Sequence, residues 1–594
     1  MTDTTSRSKP VEGIPMTWDY LIITAANESQ AASYHRQVEL RRNLGLLPDV
    51  REVMVVPDPH GRRIGSGGAT LRCLLEVLNR HRDASAADRH SAWTADDLLS
   101  VLNKLRILIV HAGGDSRRLP PYSVCGKLFI PVPGHGDSCL PPTLFDRQMP
   151  AYLALPPLPG KAGQIIITSG DVLVRFDPTE AVLADSGFTG LGCLAPPEQA
   201  AGHGVFCCDE NNRLRRFLQK PTPTEQATAG AIDPYGQSLL DIGVTHMDAA
   251  TAVKLLQAFE LQPGPDGEAR LTGRLADAID EHGLDFYREI CCALGSNPGN
   301  YVELVQKAGS TWDTSLLRDL YERIHELPFQ VCPLPRCSFL HFGTTGQIIS
   351  SGYTLLQEDQ GRMTVNAALD VNNEIADSGQ IVGRYSWVEG CRIQNRLTLG
   401  GENIVVGIDV DRPLTLPAGC CLDVLPGWKH DNKPAFLVRC YHVRDEFKAT
   451  VTGGMTFCGR RVQEWLDLVG ATVADIWDDT VPDNERTFWT ARLFPVETEA
   501  SGFLRWLWMF DPTQASEEQK FRWRSAPRFS LAQAAESGDP EPFLRRRFQI
   551  RGTLLRESLR RMFRRDSDFS ASDLATILRQ SPEPEKWVAQ AFRE

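Results

Sequence analysis

Nowhere in these 594 residues does an apolar run reach the roughly 18 residues that a membrane-spanning helix needs, so no integral membrane function is expected. The opening MTDTTSRSKPVEGIPMTWDY has no apolar centre of the kind a secretory signal carries, and the expected compartment is the cytoplasm. Positive charge is not in excess either: 63 Lys and Arg face 75 Asp and Glu, a formal net charge of −12. A general binder of nucleic acid or of a membrane surface presents a basic face to phosphates. Any anionic substrate here must instead be held by local basic residues. Cysteines number fifteen, but they stand alone or as adjacent pairs such as Cys207/Cys208, Cys291/Cys292 and Cys420/Cys421. The C-x2-C spacing of a zinc site does not occur, so reduced, mostly buried thiols are expected. The run HAGGDSRR also lacks the G-x-G-x-x-G spacing of a dinucleotide-binding turn, which counts against a dehydrogenase.

What is present suits a globular chain with more than one core: 42% of residues are hydrophobic and 23% charged, over a length that predicts two to four domains. Over residues 18–360 short apolar runs alternate with helix-period segments. YLIITAA, EVMVVPD, LRILIVHAGG and GQIIITSGD each end in small, acidic or turn-forming residues, the pattern of buried, mostly parallel strands with crossover helices. After GSGGAT, Leu71, Leu74, Leu75 and Leu78 recur at helical spacing, so a helix follows that loop. Residues 361–446 change character: very short apolar groups sit between Gly, Asn and Asp, with no helical period. Stacked coils of a parallel β-helix fit this, and an all-β sandwich is the alternative. Residues 447–594 read as mainly helical, with RRVQEWLDLVG ending in a glycine and FLRRRFQIRGTLLRESLRRMFRR a long basic amphipathic stretch. Its arginines suit a solvated helix face better than a nucleic-acid site.

The chemistry concentrates in LRILIVHAGGDSRRLPPYSVCGKLFIPVP. A strand runs into Gly113 and Gly114, followed by Asp115, Ser116, Arg117, Arg118 and, further on, Lys127. Glycines at the carboxyl end of a strand let backbone N–H groups approach a phosphate. An Arg fork suits phosphate oxygens, and a Lys supplies a point charge to the reacting phosphoryl group. The earlier loop, with Gly65, Gly67 and Gly68, suits the base or ribose side of a nucleotide or a second phosphate contact, or else a tight turn whose glycines serve packing. In GQIIITSGD, Asp171 stands where a hard cation could be held while water and phosphate complete its shell, or where a following helix would be capped.

The Gly113 to Lys127 run resembles the G-G-x-G-T-R-L…K signature of sugar 1-phosphate nucleotidyltransferases, with Ser116 and Arg117 in place of Gly-Thr. More closely, WDYLIITAANESQAASY, VVPDPHGRRIGSGGATL, HAGGDSRRLP, FLHFGTTGQ and TFWTARLFPV together resemble the guanylyltransferase region of the fucokinase/GDP-fucose pyrophosphorylase family. The fold this implies is α/β: a Rossmann-like nucleotidyltransferase domain with a mostly parallel sheet, a left-handed parallel β-helix, and a helical C-terminal segment. The activity it implies joins GTP to L-fucose 1-phosphate with release of pyrophosphate. The Gly-Leu-Gly-Ser-Ser phosphate loop of the family's GHMP-type kinase is not found, so a separate sugar kinase is a possible partner in the same pathway. By the same resemblance Asp171 holds Mg²⁺, Lys127 and Arg118 are the catalytic pair, and Gly65, Gly67, Gly68, Gly113, Gly114, Asp115 and Ser116 bind nucleotide. Lys220 and Gly243 meet the sugar phosphate. His341 stands where related enzymes place a second metal-binding Asp; contact with a phosphate or a metal, for which imidazole is a poorer magnesium ligand than carboxylate, and a hydrogen-bonded structural role all stay open there. Two other readings stay open: a transferase for another NTP and sugar 1-phosphate, and a catalytically silent partner of a separate kinase.

Overall fold

A computed structural model describes residues 17–81, 93–114, 116–134, 138–158, 163–264, 268–295, 300–360, 367–429, 431–478, 480–564 and 571–580. The chain forms two compact units. One comprises Met1–Gly113, Gln148–Ser169 and Val174–Phe339; the other comprises Gly114–Arg147, Gly170–Leu173 and Leu340–Glu594.

In the first unit nine strands share one sheet: Trp18–Ala25 (β1), Val50–Pro57 (β2), Arg106–His111 (β3), Gln164–Ser169 (β4), Phe188–Ala195 (β5), Gly204–Cys208 (β6), Leu214–Gln219 (β7), Ser238–Asp248 (β8) and Phe329–Leu334 (β9). The order is β9-β5-β8-β4-β3-β1-β2, with β6 attached to β8 and β7 to β6. The run β2-β1-β3-β4 is parallel throughout, as the apolar runs predict. Leu21 to Ile23, Ile107 to Val110 and Ile165 to Ile167 have no exposed area, because a parallel sheet is covered on both faces. The strand β8, which carries LLDIGVTHM, runs antiparallel to both β4 and β5, so the sheet is mixed beyond β4. A strand buried on both faces shows the same hydropathy in either direction, so its sequence could not reveal the reversal.

Two helices flank the strand ends that matter below. Glu28–Asn43 (α1) is capped by Asn27, whose side chain accepts from Gln30 N at 2.9 Å while Gln30 Oε1 accepts from Ala26 N at 2.7 Å. This reciprocal pair satisfies two otherwise orphan donors. The second helix, Gly65–Arg80 (α2), starts at the first glycine of GSGGAT rather than after it. Leu71, Leu74 and Leu78 are fully buried at the predicted spacing, each contributing about 1.5–3 kcal/mol of apolar burial.

The second unit holds Thr345–Gln360 (α3) and then, from Leu369 to His442, a segment with no helix among the described residues. Its strands are Leu369–Val371 (β10), Glu374–Ile375 (β11), Gln380–Val382 (β12), Trp387–Glu389 (β13), Arg392–Ile393 (β14), Arg396–Leu399 (β15), Ile404–Val406 (β16), Asp409–Val410 (β17), Leu414–Leu416 (β18), Cys420–Trp428 (β19) and Pro434–His442 (β20). They build three ladders of parallel pairs, β10-β13-β16-β19, β11-β14-β17 and β12-β15-β18. Val388, Ile393, Leu397, Val405, Val410 and Leu422 point into the shared core. Buried asparagines satisfy the turns: Asn403 Nδ2 donates to Pro417 O at 2.6 Å and Cys420 O at 2.9 Å, and Asn373 Nδ2 donates to Val388 O at 2.7 Å.

Beyond residue 447 helices predominate, including Val462–Val469 (α4) and Pro540–Phe563 (α5). The predicted C-terminal glycine of α4, Gly470, takes the left-handed conformation with φ +66°. This region is not purely helical: Phe494–Glu497 (β21) and Arg528–Phe529 (β22) extend the β10 ladder through antiparallel pairings to β20. Among the described residues no helix is long and apolar enough to cross a membrane. None of the fifteen cysteines forms a disulfide.

Candidate functional site

The exit of β3 is tied down by the first of the sequence motifs. Thr24 Oγ1, at the end of β1, accepts from Ala112 N at 3.0 Å and from Gly113 N at 3.1 Å. Tyr34 of α1 donates its hydroxyl proton to Ala112 O at 3.0 Å. The residues Thr24 and Tyr34 of WDYLIITAANESQAASY thus set where the strand releases the glycine pair. At the last residue of β3, His111 Nε2 lies 2.9 Å from Thr70 Oγ1, whose own proton goes to Ser66 O at 3.0 Å. The ring therefore carries its proton on Nε2, and burial lowers its pKa to about 4, so it is neutral.

The glycine loop that opens α2 is occupied by packing. Leu284 O accepts from Gly67 N at 2.8 Å and from Gly68 N at 3.2 Å, and Ser66 Oγ accepts from Phe286 N at 2.8 Å. Gly65 has φ +76°, and a Cβ there would lie 2.3 Å from the Leu284 carbonyl oxygen. The amides of Gly67 and Gly68 thus have an acceptor within the fold, and the glycines serve close packing against Leu284.

In the same unit, Lys220 is exposed at φ +51° just after β7, with its N–H on His203 O at 3.0 Å. Gly204 pairs with Gln219, and a Cβ on Gly204 would sit 3.2 Å from Asp241 Cβ. This brings the end of β7 beside the Asp241 to Gly243 bend of β8, where Gly243 N donates to Asp241 Oδ1 at 2.8 Å. Asp241 is 6% exposed, and burial raises its pKa to about 7. Sequence reasoning passed over this carboxyl, since nothing in LLDIGV distinguishes a buried acid from one that caps a turn.

The second unit gathers the charged residues. Gly114 has φ +114°, and Ser116, although not glycine, has φ +52° and is buried. Leu119 N closes the turn on Ser116 O at 2.7 Å. Asp115 lies outside the described residues. The Arg117 guanidinium packs over the Trp489 ring at 5.8 Å, so TFWTARLFPV supports the loop from another part of the chain. Arg118 is half-buried; its carbonyl accepts from Thr345 N at 3.0 Å, and its guanidinium has no ion pair or hydrogen bond among the described residues. Lys127 follows Gly126, at φ +67°, and opens a short 3-10 turn anchored by buried Leu128 and Phe129.

Lys127 Nζ lies 2.9 Å from Asp171 Oδ2, and His341 Nε2 lies 3.4 Å from the same oxygen. The three side chains are 21%, 24% and 19% exposed, open enough for a ligand but poorly screened. Burial pushes the Asp171 carboxyl upward, but Lys127 and His341 outweigh it and hold it well below the usual carboxylate range. It is ionised at neutral pH. The backbone fixes the cluster: Phe342 N donates to Asp171 O at 2.8 Å, and Ser351 Oγ of α3 donates to His341 O at 2.6 Å. Gly343 makes room for the imidazole, since a Cβ there would fall 2.4 Å from His341 Nε2. An ammonium, a carboxylate and an imidazole converge from three stretches of chain, in the unit that also carries the loop of Arg118. This arrangement can bind a polyanion and balance charge.

The fucose pyrophosphorylase domain family matches residues 99–499. The chain is 28% identical over 555 residues to the bifunctional fucokinase/GDP-fucose pyrophosphorylase of Arabidopsis thaliana, covering 87% of this chain and 50% of that protein. It is 26% identical over 439 residues to the L-fucokinase/L-fucose-1-P guanylyltransferase of Bacteroides fragilis, 70% of this chain and 40% of that one. The chain therefore spans half or less of those two relatives. To the fucose-1-phosphate guanylyltransferase of Mus musculus it is 27% identical over 552 residues, 82% of this chain and 85% of that protein. With a glycine-arginine loop, a Lys127–Asp171–His341 cluster and a family match over more than half its length, this chain belongs to the fucose pyrophosphorylase family.

Proposed function

We propose that this chain condenses GTP with L-fucose 1-phosphate to give GDP-L-fucose and pyrophosphate. The observation that carries the reading is the meeting of Lys127, Asp171 and His341, which supplies both signs of charge at one place. The sugar phosphate is already an oxyanion at neutral pH, so its oxygen attacks the α-phosphorus without a general base. The bond from the α-phosphorus to the bridging oxygen breaks, and pyrophosphate leaves with the electron pair. Lys127 neutralises charge on the reacting phosphoryl group, and the open guanidinium of Arg118 holds the departing pyrophosphate. Gly113, Gly114, Asp115 and Ser116 shape the nucleotide loop, while Lys220, Gly243 and His341 take the sugar phosphate. The amides of Gly67 and Gly68 are engaged with Leu284, so the first loop would act on the nucleotide through its shape.

Asp171 would hold Mg²⁺. No group of three His, Cys, Asp or Glu able to hold a metal occurs among the described residues. A single ionised carboxylate fits an ion that keeps most of its shell as water and substrate phosphate. When bound, the ion would supply Lewis-acid neutralisation of phosphate charge.

A left-handed β-helix is the reading we give the three parallel ladders of the second unit; their regular stacking supports it. A cytoplasmic setting is supported by fifteen cysteines outside any disulfide, and a separate sugar kinase by the kinase named in two relatives. The test is pyrophosphate release from each NTP with a panel of sugar 1-phosphates. GTP with fucose 1-phosphate should be preferred, and Lys127→Ala should lose about 100-fold or more in turnover while unfolding normally. Near-normal turnover of that variant would sink the assignment.

A further inference from the structure

The basic run in FLRRRFQIRG, expected to be a solvated helix face, lies on α5 and lines a cavity of about 220 Å³ in the second unit. Arg392, Arg545, Arg546, Arg547 and Gln549 face it, with Phe436 on the apolar side, and no Asp or Glu is among its lining residues. The carboxylates that hold these arginines lie outside the lining. Arg392 pairs with Glu374, Arg545 with Glu541, Arg546 with Asp409 and Arg547 with Glu389. The lining itself therefore carries arginines and no carboxylate.

Donors remain. Arg392 uses Nε and Nη2, and Arg546 uses Nε and Nη2, so the Nη1 of each makes no hydrogen bond among the described residues. Arg547 is only 2% exposed and is held by the Phe543 carbonyl and Glu389, so it contributes charge rather than an open donor. The Nη1 groups of Arg392 and Arg546 are the donors an anion in the cavity would meet. Several preorganised forks in one small cavity match the geometry of phosphate oxygens.

We propose that this cavity binds a small molecule through a doubly charged phosphoryl group, at a site separate from the Lys127–Asp171 cluster. The volume suits a diphosphate or a compact sugar phosphate. The proposal does not depend on the transferase reading, because none of its residues belongs to that machinery.

Titration calorimetry on the full chain tests it with two probes, inorganic pyrophosphate and a hexose 6-phosphate, the latter lacking the anomeric phosphate that the transfer reaction uses. Arg392→Gln/Arg545→Gln changes the two more exposed arginines, and thermal unfolding checks its fold, with Arg545→Gln alone as the substitute if the pair unfolds. At least one probe should bind the wild type and Lys127→Ala alike and lose tenfold or more in affinity in the arginine variant. Binding of pyrophosphate alone identifies a diphosphate site; binding of both, a general phosphoryl site. Affinity for both probes that is unchanged in the arginine variant, or that disappears in Lys127→Ala, overturns the proposal.

Discussion

A buried carboxyl can be recognised by the pH at which it destabilises its surroundings, and Asp241 offers such a test. Burial lifts its folded-state pKa to about 7, against about 3.9 in an unfolded chain. A raised pKa means that the native state binds the proton more tightly. The associated stability is therefore fully present below about pH 4 and is lost as pH rises through about 7. The gap corresponds to on the order of 4 kcal/mol. Asp241→Asn has no such titration, so its stability relative to the wild type should rise by about that amount between pH 4 and pH 8. Urea unfolding of the two proteins across that range measures it, and parallel profiles would show that Asp241 is not held protonated. Lys127 and Asp171 are the converse case. Each was legible as a type of residue at a strand end or loop end, because local context marks such places. That the two belong to one site was implied by the resemblance; their direct ion pair was not, because 44 positions separate them and only the fold closes the distance.

Among the elements, the start of α2 shows how one sequence pattern serves two ends. GSGGAT reads either as a contact to the nucleotide's base, ribose or phosphate or as a tight turn, since glycines permit close approach of anything at all. What approaches here is the backbone at Leu284, whose carbonyl takes two amides of the first turn. Gly65→Ala should therefore destabilise the first unit by roughly 1–3 kcal/mol, from the positive φ and the clash with the Leu284 carbonyl. Gly114→Ala has open space around its Cβ and only the φ of +114° to oppose it, so it should cost activity more than stability. Thermal unfolding and pyrophosphate release on both variants separate the cases. Equal losses of stability would contradict the difference in packing. The short strands from β10 to β19 were visible beforehand, because turn residues recur between them. The antiparallel course of β8 was not, because burial on both faces removes any directional signal.

At the scale of the whole molecule, the C-terminal region is bonded into the core of its unit. Arg547 of α5 pairs with Glu389, which has no exposed area and also accepts from Tyr122 Oη at 3.3 Å; Trp387 Nε1 donates to that hydroxyl at 2.7 Å. Burial drives the Glu389 carboxyl upward while Arg547 opposes it, so the pair is coupled through the low-dielectric interior. Arg547→Ala strands a buried carboxylate and should cost about 3–5 kcal/mol, whereas Glu389→Gln/Arg547→Met removes both charges and should recover much of that loss. Denaturant unfolding of the second unit reports both, and a double variant no better than the single one would refute the coupling. Tyr122 belongs to the loop between Arg118 and Lys127, so α5 also supports the residues proposed for catalysis. What the sequence determined by itself were features set within a few residues: the buried strands, the glycine and arginine turn, the coil punctuation and the helix end at Gly470. The tertiary structure alone decided that Asp171 pairs directly with Lys127, which amides are already engaged, and which arginines of an apparently solvated run are buried. Those outcomes rest on contacts between distant segments, whose desolvation and pairing energies no local pattern encodes.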